Sequence, residues 1–314
     1  MTEPSPSRCP FPGVHPRPRG APPSKQVAAE IAKLDAVTDA MQIVQLLTSW
    51  EFPFDITRAN ELALFHTYGS RSVSTVLDRT GEFSRRGQKR YDDTRLLIGH
   101  FLEHGLHADT GRRAIEHMNH IHSFYRIPNE DFLFVLWTFI DFPVVWLEQF
   151  GRRPFTPHER AAWFNGWVQI GQRMGLTDIP VDKPAFDAFV DAYEAREFVA
   201  CDASRRVAEA TVAVMQAWLP KPLRFVVVPV ASCFMRPRLR AALGYRPAPS
   251  WLKWAVTTTL KLRAVVKRFA SIERYPGFLN DALNRTYPGN AYTIEQLGPE
   301  HAHRSSSSSS SSSS

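Results

Sequence analysis

The sequence predicts a single all-α domain. Apolar residues recur at three- and four-residue spacing along most of the 314-residue chain, as one buried face of a helix requires. Strict alternation of apolar and polar residues is scarce, and no series of strands and helices is present. Helix start signals, above all the Thr-Pro-His-Glu of residues 156–159, indicate the same class.

Both ends of the chain are expected to lie outside this domain. Eight prolines fall within residues 4–23, and the last ten residues are an unbroken serine run. Neither segment has enough apolar side chains to offset the entropy that ordering would cost. The predicted organisation is a disordered arm over 1–25, a helical domain over 26–300 and a disordered tail over 301–314.

Four segments in the first 126 residues have helical spacing. The segment 25–47 repeats an apolar residue every three or four positions and is expected to form one or two helices. The segment 57–77 follows the same rule. The segment 90–104 has two aspartates in its first turn, where negative charge complements the N-terminus of a helix. The segment 112–126 completes this set.

Four further helices are predicted up to residue 218. Asn129 is expected to cap the first, which runs to about residue 150 with Pro143 as a kink or break. The capping box at Thr156 starts the second. The segments 184–199 and 203–218 follow, and the proline-rich remainder is expected to form only shorter elements.

Positive charge is concentrated in residues 221–272. This segment holds eleven Lys and Arg residues and no acidic residue, so the net charge of +7 leaves −4 for the rest of the chain. Large apolar residues lie among these charges, a combination typical of peripheral contact with an anionic membrane. The alternative is a packed helical region whose basic side chains reach solvent. No nucleic-acid-binding motif accompanies the charge, and no nucleic-acid partner is expected.

Missing motifs exclude several functional classes. The sequence has no P-loop, dinucleotide fingerprint, nucleophile elbow or HExxH zinc motif. Its three cysteines form neither a pair nor a metal-binding spacing, which favours an intracellular, cytoplasmic location with membrane association left open. No apolar run approaches the roughly 20 residues of a membrane-spanning helix, and no secretory signal is expected.

His122 is the first candidate ligand. It shares an apolar helix face with Ile115, Met118 and Tyr125. This setting is typical of a buried histidine that is hydrogen-bonded to a backbone or carboxylate group. It also suits a single imidazole ligand to iron in an apolar pocket, as in haem proteins.

A second histidine group precedes it. His100, His104 and His107 would share one face if the helix continued past Gly105, and imidazoles in that arrangement bind divalent metals. A solvated polar face is the alternative, because Gly105 weakens the helix.

Arg90 and Thr94 form a third candidate pair. They are four residues apart and therefore share a helix face. An arginine and a hydroxyl placed together suit the binding of a cofactor propionate or the polarisation of dioxygen. In the alternative interpretation Asp92 and Asp93 complement the helix N-terminus, and Arg90 pairs with one of them.

Five blocks of sequence carry a family resemblance. They are GEF at 81–83, QKRYDDT at 88–94, MNHIHSFYRIPNEDFL at 118–133, WLE at 146–148 and YPGNAYT at 287–293. In this order they resemble the MpaB-like oxygenases, the family that joins the mycophenolic-acid pathway oxygenase to bacterial rubber oxygenase (latex-clearing protein). The likeness extends from about residue 45 to residue 300. It implies an all-α, globin-related fold and oxidative cleavage of a carbon–carbon double bond in an isoprenoid chain.

The resemblance also implies roles for particular residues. His122 matches the proximal ligand of haem b in the rubber-oxygenase branch, with dioxygen as co-substrate. Tyr125, on the same predicted helix face as His122, is expected to be a further cofactor contact. Arg90 and Thr94 match the first and last members of an Arg-x-x-Lys-Thr group near the distal side. The sequence departs from this pattern at Asp93, which stands where the family has lysine.

Two other functions stay open on the sequence. One is a non-haem metal oxidoreductase that uses His100, His104 and His107. The other is a non-enzymatic protein that binds lipid or isoprenoid at membranes through residues 221–272. The departure at Asp93 favours both alternatives over haem chemistry.

Overall fold

The computed structural model describes residues 15–17, 19–21, 25–277 and 284–302. Thirteen α-helices form within these ranges, and an isolated bridge between Arg17 and Tyr275 is the one pairing of extended backbone among them. The predicted all-α class is confirmed. The predicted serine-rich tail lies outside the described residues from position 303 onward, as does most of the proline-rich arm.

The helices follow one another closely along the chain. A π-helical turn, Leu47–Glu51, follows the second helix, and a 3-10 turn, Lys221–Val226, precedes the eleventh. The α-helices are α1 (Gln26–Ile31), α2 (Ala40–Leu46), α3 (Pro53–Thr67), α4 (Arg71–Thr80), α5 (Glu82–His104), α6 (Asp109–Ser123), α7 (Asn129–Phe150), α8 (Pro157–Arg173), α9 (Lys183–Glu197), α10 (Asp202–Ala217), α11 (Val227–Ser232), α12 (Pro237–Leu243) and α13 (Ser250–Phe269).

Three sequence predictions about these helices were wrong, and a fourth was wrong in part. The predicted helix 57–77 is two helices, because Ser70 is extended and its hydroxyl caps α4 by accepting a hydrogen bond from the Val73 amide at 3.2 Å. Asn129 is the first helical residue of α7 rather than its cap, and its side chain instead bonds the backbone of residue 177. Pro143 lies inside α7, so of the two predicted effects, a kink or a break, the break is excluded. The segment after residue 222 contains α13, which is 20 residues long.

The core is built around α7. This helix packs against α3, α8, α9 and α13, and buried side chains lie on every side of it, including Phe134 and Ile140. A helix that is apolar all round can only be stable inside a protein, which explains its central place. The fold therefore places the face of α7 that carries residues 131–139 against the other helices that surround the candidate site.

The start of α8 follows the predicted capping box. The Thr156 hydroxyl accepts a hydrogen bond from the Glu159 amide at 3.1 Å, and the Glu159 carboxylate accepts one from the Thr156 amide at 2.8 Å. Arg153 pairs with the same carboxylate at 2.6 Å. These bonds satisfy backbone donors that a helix start otherwise leaves exposed.

The α5–α6 hairpin brings the two halves of the candidate site together. Helix α5 ends at His104 because Gly105 adopts φ +75°. Helix α6 then returns so closely that a Cβ on Gly111 would lie 1.7 Å from the Gly105 carbonyl oxygen. Only glycine allows this approach, which sets Arg90 on α5 and His122 on α6 in the wall of one cavity.

Candidate active site

A cavity of about 240 Å³ lies among helices α3 to α8 and α10. Its wall is mostly apolar, with a few polar side chains, as is typical of pockets for small molecules. His122, Arg90 and Thr94 all line it. The aromatic residues of the wall are Phe65, Tyr68, Phe83, Tyr91, Phe101, Phe132, Phe139, Trp167 and Trp218.

The His122 imidazole is one of the polar groups that line the cavity. Its Nδ1 is buried and has no hydrogen-bond partner among the described residues, so the predicted alternative of a hydrogen-bonded buried histidine does not hold for this atom. The ring packs against Phe132 with 5.2 Å between centroids. Burial, together with a smaller effect from the charge of Arg90, lowers the pKa of His122 to about 4. The ring is therefore neutral at neutral pH, as metal ligation requires.

Arg90 and Thr94 lie one turn apart on α5 and line the same wall of the cavity. The Arg90 guanidinium lies 5.4 Å from the centroid of the Phe83 ring. The Thr94 hydroxyl donates a hydrogen bond to the Arg90 carbonyl at 2.9 Å, so in this arrangement it presents lone pairs rather than a proton to the cavity. Arg90, like Arg95 on the same helix, is thus a cationic donor among the residues that line the cavity.

Asp93 does not point a carboxylate into the cavity. It is buried and accepts hydrogen bonds from Lys89 Nζ at 2.7 Å and from the Tyr287 hydroxyl at 2.6 Å. Lys89 also donates to the carbonyl of Gly298 at 2.8 Å. Asp93, which stands in place of the lysine of the Arg-x-x-Lys-Thr pattern, therefore links α5 to residues 284–302. The predicted alternative in which Arg90 pairs with Asp92 or Asp93 is not observed among the described residues, since Asp92 instead accepts hydrogen bonds from Gln88 and Thr286.

The structure does not bring Tyr125 to the cavity. Helix α6 ends at Ser123, so Tyr125 lies beyond its last turn and does not extend the apolar stripe that carries His122. Its hydroxyl lies 3.1 Å from His301 Nε2, near the surface. The position gives no support to Tyr125 as a cofactor contact.

The three earlier histidines do not assemble a metal site. His107 lies beyond the end of α5, so it does not share a helix face with the other two. The rings of His100 and His104 stack 6.0 Å apart, and His100 Nε2 lies 3.1 Å from the Tyr292 hydroxyl. In the part of the chain that the structure describes, no group of three or more His, Cys, Asp or Glu residues could hold a metal ion.

Sequence reasoning missed a carboxylate–phenol pair in the cavity wall. The Tyr91 hydroxyl donates a hydrogen bond to Glu61 at 2.6 Å, and Arg58 pairs with the same carboxylate at 2.7 Å. Burial raises the pKa of Glu61, against the opposing effect of Arg58. Glu61 and Tyr91 lie on α3 and α5, so no local spacing in the sequence links them.

Two other residues of the cavity wall each contain a buried polar atom that is not hydrogen-bonded to any described residue. Asn60 Oδ1 and Trp167 Nε1 belong to cavity-lining residues, and neither has a hydrogen-bond partner among the residues described. Buried polar atoms are normally satisfied, because an unmade bond costs about 1–3 kcal/mol. Together with His122 Nδ1, they are three unsatisfied polar atoms in described residues that line the cavity.

Comparison with known proteins agrees with this geometry. A family model described as "ER-bound oxygenase mpaB/B'/Rubber oxygenase, catalytic domain" matches residues 69–270, a range that runs from α4 to α13. The match contains Arg90, Thr94 and His122. The chain belongs to this family. The resemblance inferred from the sequence is confirmed, whereas the globin relation of the fold stays a prediction.

Three relatives show how far the similarity to mpaB-type oxygenases extends. ER-bound oxygenase mpaB' of Penicillium brevicompactum is 30% identical over 271 residues, which cover 80% of this chain and 63% of that protein. ER-bound oxygenase mpaB of Penicillium roqueforti (strain FM164) is 31% identical over 225 residues, covering 66% and 76%. The mpaB protein of Penicillium brevicompactum is 28% identical over 211 residues, covering 62% and 53%. The chain thus spans between about half and three quarters of the length of these relatives.

Proposed function

We propose that this chain is a haem-dependent oxygenase that cleaves a carbon–carbon double bond in an isoprenoid or other apolar chain. One observation carries the proposal: a neutral imidazole, His122, stands with an unpaired buried Nδ1 in the wall of an apolar cavity. The names of the family and of its relatives, which are oxygenases, support the reaction class. Their description as ER-bound supports an intracellular protein that meets its apolar substrate at a membrane.

The residues of the cavity fit haem b. A haem iron needs one protein imidazole and a pocket that controls polarity and access, and His122 in its aromatic surroundings offers both. The Arg90 guanidinium, on the same cavity wall, would hold a propionate or stabilise negative charge on oxygen. When bound, the haem would supply the activation of dioxygen, which protein side chains cannot supply.

The remaining tasks belong to this chain. His122 would hold the cofactor with a lone pair that burial keeps unprotonated. The aromatic wall would exclude water and align an apolar chain by contact. Thr94 would donate to a bound oxygen atom only after its hydroxyl turns away from the Arg90 carbonyl.

The overall reaction balances without an electron donor. Cleaving one double bond with one dioxygen molecule gives two carbonyl groups, so each alkene carbon receives one oxygen atom. Both carbons are oxidised and both oxygen atoms are reduced in the same turnover. A cavity that only has to hold haem, dioxygen and an alkene is therefore sufficient for this chemistry.

A stoichiometry experiment tests this reaction. The haem-reconstituted protein is given an isoprenoid alkene without added reductant, dioxygen uptake is recorded, and carbonyl products are trapped with a hydrazine and counted. We expect one dioxygen consumed for each pair of carbonyls formed. Uptake that requires a reductant, or products that retain the carbon skeleton, would refute double-bond cleavage.

A further inference from the structure

Helix α13 differs from an ordinary surface helix, because two of its charged side chains point towards the protein core. Its charged residues Arg263 and Lys267 point inward, and Lys267 is 1% exposed. Lys267 Nζ pairs with Asp55 at 3.2 Å and with Glu273 at 2.6 Å, and Arg263 reaches Asp55 at 2.9 Å. This buried ion network fixes which face of α13 is turned towards the core.

The outer face of α13 is apolar and exposed. Among the described residues eleven large hydrophobic side chains are exposed, and six of them lie on this one helix. Their separations of three, four or eight positions along the helix place them in a single stripe. With their exposed fractions they are Trp251 (69%), Trp254 (69%), Leu262 (62%), Val265 (45%), Val266 (42%) and Phe269 (74%).

A second exposed apolar pair lies close by in the chain. Leu223 and Phe225, 49% and 74% exposed, belong to the turn Lys221–Val226, and helix α11 contacts both this turn and α13. We call the outer face of α13 together with this turn the apolar surface. An exposed apolar surface of this kind usually marks an interaction site, because scattered single residues are the normal case.

The charge around the apolar surface has one sign. Exposed basic residues of α13 are Lys253, Lys261 and Arg268, and the turn adds Lys221 and Arg224. Residues 221–272 contain no acidic residue at all. Two copies of this chain would repel each other at such a surface, whereas an anionic lipid surface would attract it.

We propose that the apolar surface binds an anionic lipid bilayer, with α13 lying flat in the headgroup region. The stripe of Trp, Leu, Val and Phe would enter the acyl boundary, and the flanking Lys and Arg residues would contact lipid phosphates. No helix among the described residues is long and apolar enough to span a bilayer, so this contact is peripheral. The ion network of Asp55 holds the apolar face outward before binding, which spares the ordering cost that a free peptide meets.

Vesicle co-sedimentation of the full chain tests the proposal. The probes are phosphatidylcholine vesicles with and without phosphatidylserine. We expect binding only when phosphatidylserine is present, and binding that weakens as salt is raised. Removing Lys253, Lys261 or Arg268 by substitution with Gln should lower the partition coefficient about fivefold for each residue.

The apolar contribution needs its own variant and control. The double variant Trp251→Ser with Trp254→Ser should lower partition at least about tenfold, because each side chain loses contact with the acyl boundary. Val181→Ser is the matched control, since Val181 is 88% exposed away from this surface, and it should bind like the wild type. Circular dichroism establishes that each variant is folded.

Three results would overturn the proposal. The wild type could fail to bind phosphatidylserine vesicles, or the double tryptophan variant could bind as well as Val181→Ser. A concentration-dependent dimer that the tryptophan changes abolish, without vesicle binding, would instead make the surface an interface between copies. None of these readouts depends on haem or activity, so their failure leaves the oxygenase proposal unaffected.

Discussion

Replacing Asp55 by Asn removes the central negative charge of the ion network beneath α13. Asp55 is completely buried, and its carboxylate accepts hydrogen bonds from Arg263 at 2.9 Å, Lys267 at 3.2 Å and Trp146 Nε1 at 3.1 Å. In the variant the two cations would share Glu273 alone. Removing one partner of a buried ion pair costs about 3–5 kcal/mol. A Coulomb estimate of about 4 kcal/mol for charges 4 Å apart at an effective dielectric constant near 20 agrees.

Urea unfolding followed by circular dichroism measures this cost. Asp55→Asn should lower the free energy of unfolding by about 3–5 kcal/mol, and adding Lys267→Met should restore part of it, because the unpaired buried cation is removed. Glu148→Gln is the control: Glu148 pairs with Arg160 at 2.9 Å, both side chains are about half exposed, and the loss should be below about 1 kcal/mol. A loss for Asp55→Asn as small as the control would refute the role assigned to this network.

Three further predictions concern stability. Burial lowers the pKa of both His122 and His100 from 6.5 to about 4. Their contribution to the free energy of unfolding is therefore complete above pH 6.5 and is lost as pH falls through 4, by about 3 kcal/mol per histidine. His122→Gln should flatten the pH dependence of the urea midpoint, and an unchanged slope would contradict this. Gly111→Ala should lower the free energy of unfolding, measured by thermal unfolding, by at least about 2 kcal/mol, because the alanine Cβ would overlap the Gly105 carbonyl. Wild-type stability in this variant would disprove the close approach. Thr156→Ala should cost about 1 kcal/mol by the same assay through loss of the α8 capping box, and no loss would show that the cap is dispensable.

Helices with local signals were predictable, and those fixed by tertiary contacts were not. The start of α8 was predicted because Thr156 and Glu159 satisfy each other's backbone within four residues. Helix α13 was missed, since it has no capping side chain at Pro249, and Arg263 and Lys267 point inward to Asp55, more than 200 residues away. Without the rest of the fold, the sequence therefore predicted only shorter elements in this basic, proline-punctuated segment.

The same distinction applies to the site. Helical spacing correctly placed His122 in an apolar wall, and it placed Arg90 and Thr94 on one face. It failed for Tyr125, because α6 ends two residues earlier and the 3.6-residue period stops there. It could not find Glu61, whose contact with the cavity depends on how α3 packs beside α5.

A visible absorption spectrum of the haem-reconstituted protein tests the central claim most directly. The wild type and His158→Ala, in which the replaced ring is exposed, bonds the Leu34 carbonyl and is not among the residues that line the cavity, should show the same sharp Soret band. His122→Ala should lose or shift that band and bind haem more weakly in titration, because the axial ligand is gone. No Soret band in the reconstituted wild type, or an unchanged band and affinity in His122→Ala, would contradict haem ligation by His122.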